Sequence, residues 1–339
     1  MKVVTFGEIM MRLQTRGYKR YIQAQELEVE YGGGEANVAV SLANYGADAC
    51  FVTKLPENPI GEACLANLRM HNVCTKYIAR GGERLGIYFC EKGASQRASN
   101  VVYDRAHSSI STADLGDFDW AQIFDGADWF HFTGITPAIS DKSAEICLVA
   151  CKKAKEMGVK ISCDLNFRKK LWTSEKAGKV MGELCEYVDV LIANEEDAEK
   201  VFGIKAAATD ITGGKLDDEG YKDVCKQLTD RFGFEKVAIT LRESISASVN
   251  NWAALLYADG KFYKSKKYTI NIVDRVGGGD SFGGGLIYAI LANYTNQDTI
   301  EFAVAASCLK HTIEGDMNLV TLDEVKNLMK GDGSGRVQR

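Results

Sequence analysis

Asp274-Arg275-Val276-Gly277-Gly278-Gly279-Asp280-Ser281-Phe282-Gly283-Gly284-Gly285 follows the apolar run Ile270 to Val273 and opens a segment of helical periodicity. Consecutive glycines at that place let several backbone N–H groups converge, and the first turn of a new helix adds its positive end. Such a loop suits an anion, above all a phosphate undergoing transfer. Asp280, just inside the turn, can accept a proton from an attacking hydroxyl while the amides of Gly277, Gly278 and Gly279 hold phosphoryl oxygens. A glycine-rich turn that only packs a helix tightly on a sheet satisfies the same residues equally well. Two other phosphate motifs are excluded. No G-x-x-x-x-G-K-[ST] occurs, and Phe282 stands where G-x-G-x-x-G requires its third glycine.

Upstream of the loop, apolar strand-like runs alternate with helical segments. Trp129 to Phe132 precedes a helix near 140–157, Lys160 to Asp164 precedes one near 175–187, and Val188 to Ile192 leads through Asn194 into a helix ending near Phe202. A helix near 219–232 precedes Val237 to Thr240, and a hairpin joins 252–257 to 262–266. This alternation predicts an α/β fold with a mostly parallel sheet covered on both faces. Two polar-aromatic patches, about 12–31 and 85–105, interrupt the body and predict a small β-sheet lid over it. The edges of such a sheet invite pairing with a second subunit, a homodimer or higher homo-oligomer. Residues 1–330 read as one domain and 331–339 as a flexible, glycine-rich tail.

Of 339 residues, 46% are hydrophobic and 26% charged, as expected of a globular enzyme. A net charge of −5 argues against a nucleic-acid binder, which needs a basic face. No apolar run reaches membrane-span length, and Lys2 to Gly7 reads as a strand rather than a signal peptide, so a cytoplasmic location is expected. The ten cysteines show no zinc or C-x-x-C spacing and are expected to be free thiols. His71, His107, His131 and His311 show no metal-binding spacing either.

Asp274, Gly277, Gly279, Asp280 and Phe282, as D-x-x-G-x-G-D-x-F, resemble the signature of ribokinase-like carbohydrate kinases, the PfkB family. Gly7-Glu8, Gly32 to Ala39 and Asn194-Glu195-Glu196-Asp197 fall in the same order as in that family, so the resemblance spans nearly the whole chain. It implies a ribokinase-like three-layer sandwich with a β lid, ATP and Mg2+ as cofactors, and in some members a monovalent cation such as K+, here near Asp274. It implies Asp280 as catalytic base and the amides from Gly277 to Asp280 as anion hole. Asn194, Thr240, Gly277 and Gly279 would meet the nucleotide, and Asp197 would reach Mg2+ through water. Three further segments, Tyr103 to Ser108, His131 to Ala138 and Asp164 to Trp172, are similar to those of the 2-keto-3-deoxygluconate kinases within the family. That similarity implies phosphorylation of the terminal hydroxyl of a keto-deoxy sugar acid. Gly34, Asn37, Tyr88 and Tyr103 would contact the sugar. Arg105 and Arg168 would supply the planar donors that its carboxylate needs.

The chain departs from the family pattern at Asp197, where glutamate is usual, and at Arg242, where many members carry glycine beside the nucleotide. Arg242 is expected to touch ATP phosphates or the adjoining loop. A kinase for another sugar (fructose, ribose or the epimeric galactonate-derived acid) and a non-catalytic sugar-acid sensor are the alternatives. A nicotinamide dehydrogenase lacks its fingerprint.

Overall fold

The computed structural model describes residues 1–194, 196–205, 218–331 and 333. The chain opens with β1 (Lys2–Phe6), β2 (Met10–Gln14) and β3 (Glu28–Gly32) and enters α1 (Gly34–Asn44). Next come β4 (Asp48–Val52), α2 (Pro59–Met70), β5 (Gly86–Glu91) and β6 (Asn100–Asp104). The body then alternates through β7 (Trp129–Thr133), α3 (Asp141–Glu156), β8 (Lys160–Asp164), α4 (Ser174–Cys185), β9 (Val190–Asn194) and α5 (Asp197–Phe202). After α6 (Asp218–Phe232) come β10 (Lys236–Ser244), β11 (Val249–Ala258), β12 (Lys261–Lys264) and β13 (Tyr268–Asn271). Three helices, α7 (Gly278–Leu291), α8 (Asn296–Lys310) and α9 (Leu322–Lys330), follow in the last part of the chain. Helix starts follow side-chain caps: Ser140, Thr173 and Thr321 each accept a hydrogen bond from a free amide of the first turn.

Nine strands among the described residues form the main sheet, in the order β12-β11-β10-β9-β8-β7-β1-β4, with β13 also paired to β11. From β4 to β10 the neighbours run parallel, and β11, β12 and β13 add antiparallel pairings. Alternate residues of the central strands feed two separate cores. Val4, Phe6, Phe130 and Phe132 pack with α3, α4 and α6 on one face. Val3, Ile192 and Ala238 pack with α1, α7 and α8 on the other. Strands buried on both faces must be apolar almost throughout, as these are. The result is the three-layer α/β sandwich expected from the sequence. β1 connects to β4 on one side while β7 lies on its other side. That reversal opens a crevice at the C-terminal strand ends, where such sheets bind ligands.

A second sheet, β3-β2-β5-β6, is assembled from both polar-aromatic patches and lies over that crevice. Boundaries move by two residues where turn chemistry intervenes. β9 covers 190–194 rather than 188–192, because the Tyr187 and Val188 amides still close the end of α4. β13 ends at Asn271, because the Val273 amide has turned to the His311 carbonyl. No described helix is long and apolar enough to cross a membrane. The ten cysteines are free, eight of them buried. The tail expected over 331–339 lies outside the described residues, Gly331 and Gly333 excepted.

Candidate active site

The strand ends of β1, β7, β8, β9 and β10, the first turns of α1 and α7, and the lid enclose a cleft of about 1320 Å³. Asp280, third residue of α7, lies on its floor. Its Oδ2 accepts a hydrogen bond of 2.7 Å from Asn37 Nδ2, which joins the starts of two helices 243 residues apart. Gly34 keeps the other oxygen open: a Cβ there would stand 3.5 Å from Asp280 Oδ1 and 3.3 Å from Thr133 Cγ2. Burial pushes the Asp280 carboxyl up to about 6, against the opposing pull of the Asn37 hydrogen bond.

The three glycines of the loop have different reasons for being glycine. Gly277 has φ +81° in the left-handed region, and a Cβ on it would collide with the Asp316 carbonyl at 1.9 Å. Gly278 faces inward, where a Cβ would meet the His311 ring at 2.4 Å, and its carbonyl accepts from Ser307 Oγ. Gly279 faces open space. The N–H groups of Gly277, Gly279 and Asp280 have no acceptor among the described residues, whereas that of Gly278 reaches Arg275 O at 3.4 Å. An anion entering at this helix start therefore meets amides free to bind it. Gly278, expected in the anion hole, instead packs the loop against α8.

The lid supplies the opposite wall. The Tyr88 hydroxyl donates to Asp316 at 2.6 Å, so this tyrosine faces the cleft with its ring while its polar tip is engaged. Tyr103, half exposed, lies 5.9 Å from the Tyr88 ring and 5.6 Å under the Arg105 guanidinium. Glu8, buried after β1, receives a hydrogen bond from Ser108 Oγ and an ion pair from Arg105, and so fixes the guanidinium at the cleft wall. Arg168, exposed just past β8, donates to the Phe167 carbonyl. Thr240 and Arg242 line the cleft, and so does Arg275, to which the sequence assigns no role.

The two carboxylates expected beside cations, Asp197 and Asp274, are both engaged by the protein's own groups. Asp197 is buried, and its two oxygens accept the backbone amides of Phe167 and Asn194. In return the Asn194 side chain caps the first turn of α5 through the amides of Glu196 and Asp197. Asp164, at the end of β8, lines the cleft. Burial, then the charges of Asp197 and Asp280, push it well above the carboxylate range, and Arg168 opposes them. Its position four residues before Arg168 was the available signal. Asp274 is correspondingly committed. Its Oδ2 takes Arg12 at 2.6 Å and the Gly315 amide, and its Oδ1 takes the Val276 amide. The expected K+ at this residue does not fit, since the Lys310 ammonium and the Arg12 guanidinium already hold its carbonyl and carboxylate.

A model described as pfkB family carbohydrate kinase matches residues 1–321. The crystal structure of 2-dehydro-3-deoxygluconokinase from Thermotoga maritima is 55% identical, covers 98% of this chain and 100% of its own, and superposes with a TM-score of 0.95. A 2-dehydro-3-deoxygalactonokinase from Haloferax volcanii is 32% identical over 98% of both chains. A 2-dehydro-3-deoxygluconokinase from Thermoproteus tenax is 25% identical over 97% of this chain and 94% of its own.

Proposed function

The chain belongs to the pfkB family of carbohydrate kinases, and from that premise we propose that it transfers the γ-phosphoryl group of ATP to the 6-hydroxyl of 2-keto-3-deoxygluconate. The observation that carries this proposal is the meeting of a high-pKa carboxylate, Asp280, with unpaired amides at the same helix start. Asp280 takes the proton of the attacking hydroxyl as its oxygen bonds to the γ-phosphorus. The bond from that phosphorus to the β-phosphate oxygen breaks, and ADP carries away the electron pair. The amides of Gly277, Gly279 and Asp280 meet the charge on the transferring group. Asn37 aims the carboxylate, and Gly34 leaves room for the sugar beside it.

Mg2+ bound to the nucleotide neutralises phosphate charge. Among the described residues no cluster of three acidic, histidine or cysteine side chains could hold a metal alone. The donors on hand are Asp164, facing the cleft, and Asp197 through water. A few carboxylates plus phosphate oxygens and water is the set this ion prefers. We assign Arg242, Arg275 and Thr240, which line the cleft, to the nucleotide. Arg105, held at the cleft wall by Glu8, and Arg168 are the groups for the sugar-acid carboxylate, which planar donors suit. The Haloferax relative favours a second reading, the galactonate-derived epimer. An ATP-consumption assay over both keto-deoxy acids, fructose and ribose separates them. Highest kcat/KM on 2-keto-3-deoxygluconate is expected, and preference for a neutral sugar would overturn the assignment.

The lid edge strand β6 exposes Val102 and its backbone, and we assign it to pairing with a second copy of the chain. Ten free cysteines fit a reducing, cytoplasmic setting.

A further inference from the structure

Lys310, the last residue of α8, is wholly buried. Its Nζ lies 2.5 Å from the Gly315 carbonyl, 3.3 Å from that of Ile313 and 3.5 Å from that of Asp274. Carbonyls have no proton to give, so the nitrogen must donate all three bonds, which an ammonium can do and a neutral amine cannot. The three oxygens come from two segments, the residue that opens the glycine loop and the turn after α8. Their dipoles converge on one point, as they would on a bound cation. The Lys310 stem passes directly beneath the loop: a Cβ on Gly277 would lie 3.3 Å from Lys310 Cε. The same turn supplies the Asp316 carbonyl that forces Gly277 to be glycine. Around this point Arg12 is paired with Asp274 and Asp316, and Glu30 stands beside Gly315, so Arg12 and Lys310 face three carboxylates.

We propose that the Lys310 ammonium is a covalently tethered cation for the anion-binding loop, standing where a dissolved monovalent ion would otherwise hold the loop and the following turn together. Lys310 is then a positioning residue. It touches no reacting atom, but it fixes the segment that carries the amides of Gly277, Gly279 and Asp280 and places a positive charge below them. Its charge also reaches Asp280, opposing the rise in that carboxyl's pKa. The consequence is turnover that does not depend on K+, and this inference rests on the kinase activity proposed above.

The test compares kcat in K+ and in tetramethylammonium at about 0.1 M ionic strength. The wild-type protein is expected to turn over equally in both, and a requirement for K+ would overturn the proposal. Lys310→Ala removes the ammonium and leaves space at the carbonyls. Its kcat in tetramethylammonium should fall at least about tenfold, and K+ or NH4+ should restore part of it with little change in KM for the sugar. A folded variant, judged by its circular dichroism, that keeps wild-type turnover or gains nothing from either ion would contradict the proposal. If the variant does not fold, the wild-type comparison decides alone. Absence of phosphoryl transfer in every salt would instead remove the proposed kinase activity itself.

Discussion

At Asp280, burial and hydrogen bonding pull in opposite directions, and burial wins, raising the carboxyl from 3.8 to about 6. A general base works only when ionised, so kcat/KM should fall with unit slope as pH drops below about 6. A pH–rate profile flat down to pH values well below that would contradict the base role. The stability effect carries the reverse sign. A carboxyl whose pKa is raised by folding binds its proton more tightly in the folded state. The cost therefore grows as pH rises from 3.8 to about 6 and is full above it. Asp280→Asn keeps an acceptor for Asn37 and removes the charge, so it should stabilise the protein at pH 8 by on the order of 1–3 kcal/mol. Thermal melts should show that gap closing near pH 4. Asp280 was legible in the sequence because the glycines that serve it are its immediate neighbours. Arg12 was not. Its partners Asp274 and Asp316 lie 262 and 304 residues away, and one sequence gives no sign of such a pairing. Lys310 was not legible either, since the Asp274 carbonyl it meets lies 36 residues away.

Between elements, that buried network joins the lid to the body, with the partly exposed Lys92–Glu314 pair beside it. Arg12 on β2 spans Asp274 ahead of α7 and Asp316 after α8, and Tyr88 on β5 donates to Asp316 as well. Removing the guanidinium leaves two buried carboxylates without their ion-pair partner. Arg12→Met should cost about 3–5 kcal/mol in urea denaturation. Arg16→Met, which breaks the exposed pairs with Glu26 and Glu28, should cost no more than about 1 kcal/mol. Equal effects of the two substitutions would refute the anchoring role. The lid strands themselves were legible because alternation and aromatic content survive in a sheet covered on one face. The exact ends of β9 and β13 were not, because they depend on hydrogen bonds to α4 and to His311 that periodicity does not encode.

At the scale of the whole molecule, sheet topology brings distant segments to one crevice, and the lid closes it. Lid strand β6 leaves Val102 48% exposed on an open edge, an arrangement that a second copy would cover. Light scattering should find a dimer, and Val102→Lys should give a monomer with weaker sugar binding because the lid loses its support. A wild-type monomer at working concentration would count against lid pairing. The three-layer fold was legible in the strand–helix alternation, whereas the division of labour around Asp164, Asp197 and Asp274 was not, since each carboxylate's role is set by the groups that folding brings to it. The most direct test of phosphoryl transfer at the glycine loop is to pair calorimetric binding with turnover for Asp280→Asn. Binding of 2-keto-3-deoxygluconate should persist near the wild-type affinity while kcat falls about 10²–10⁴-fold; a kcat that stays at the wild-type value would contradict the assignment of Asp280 as the base.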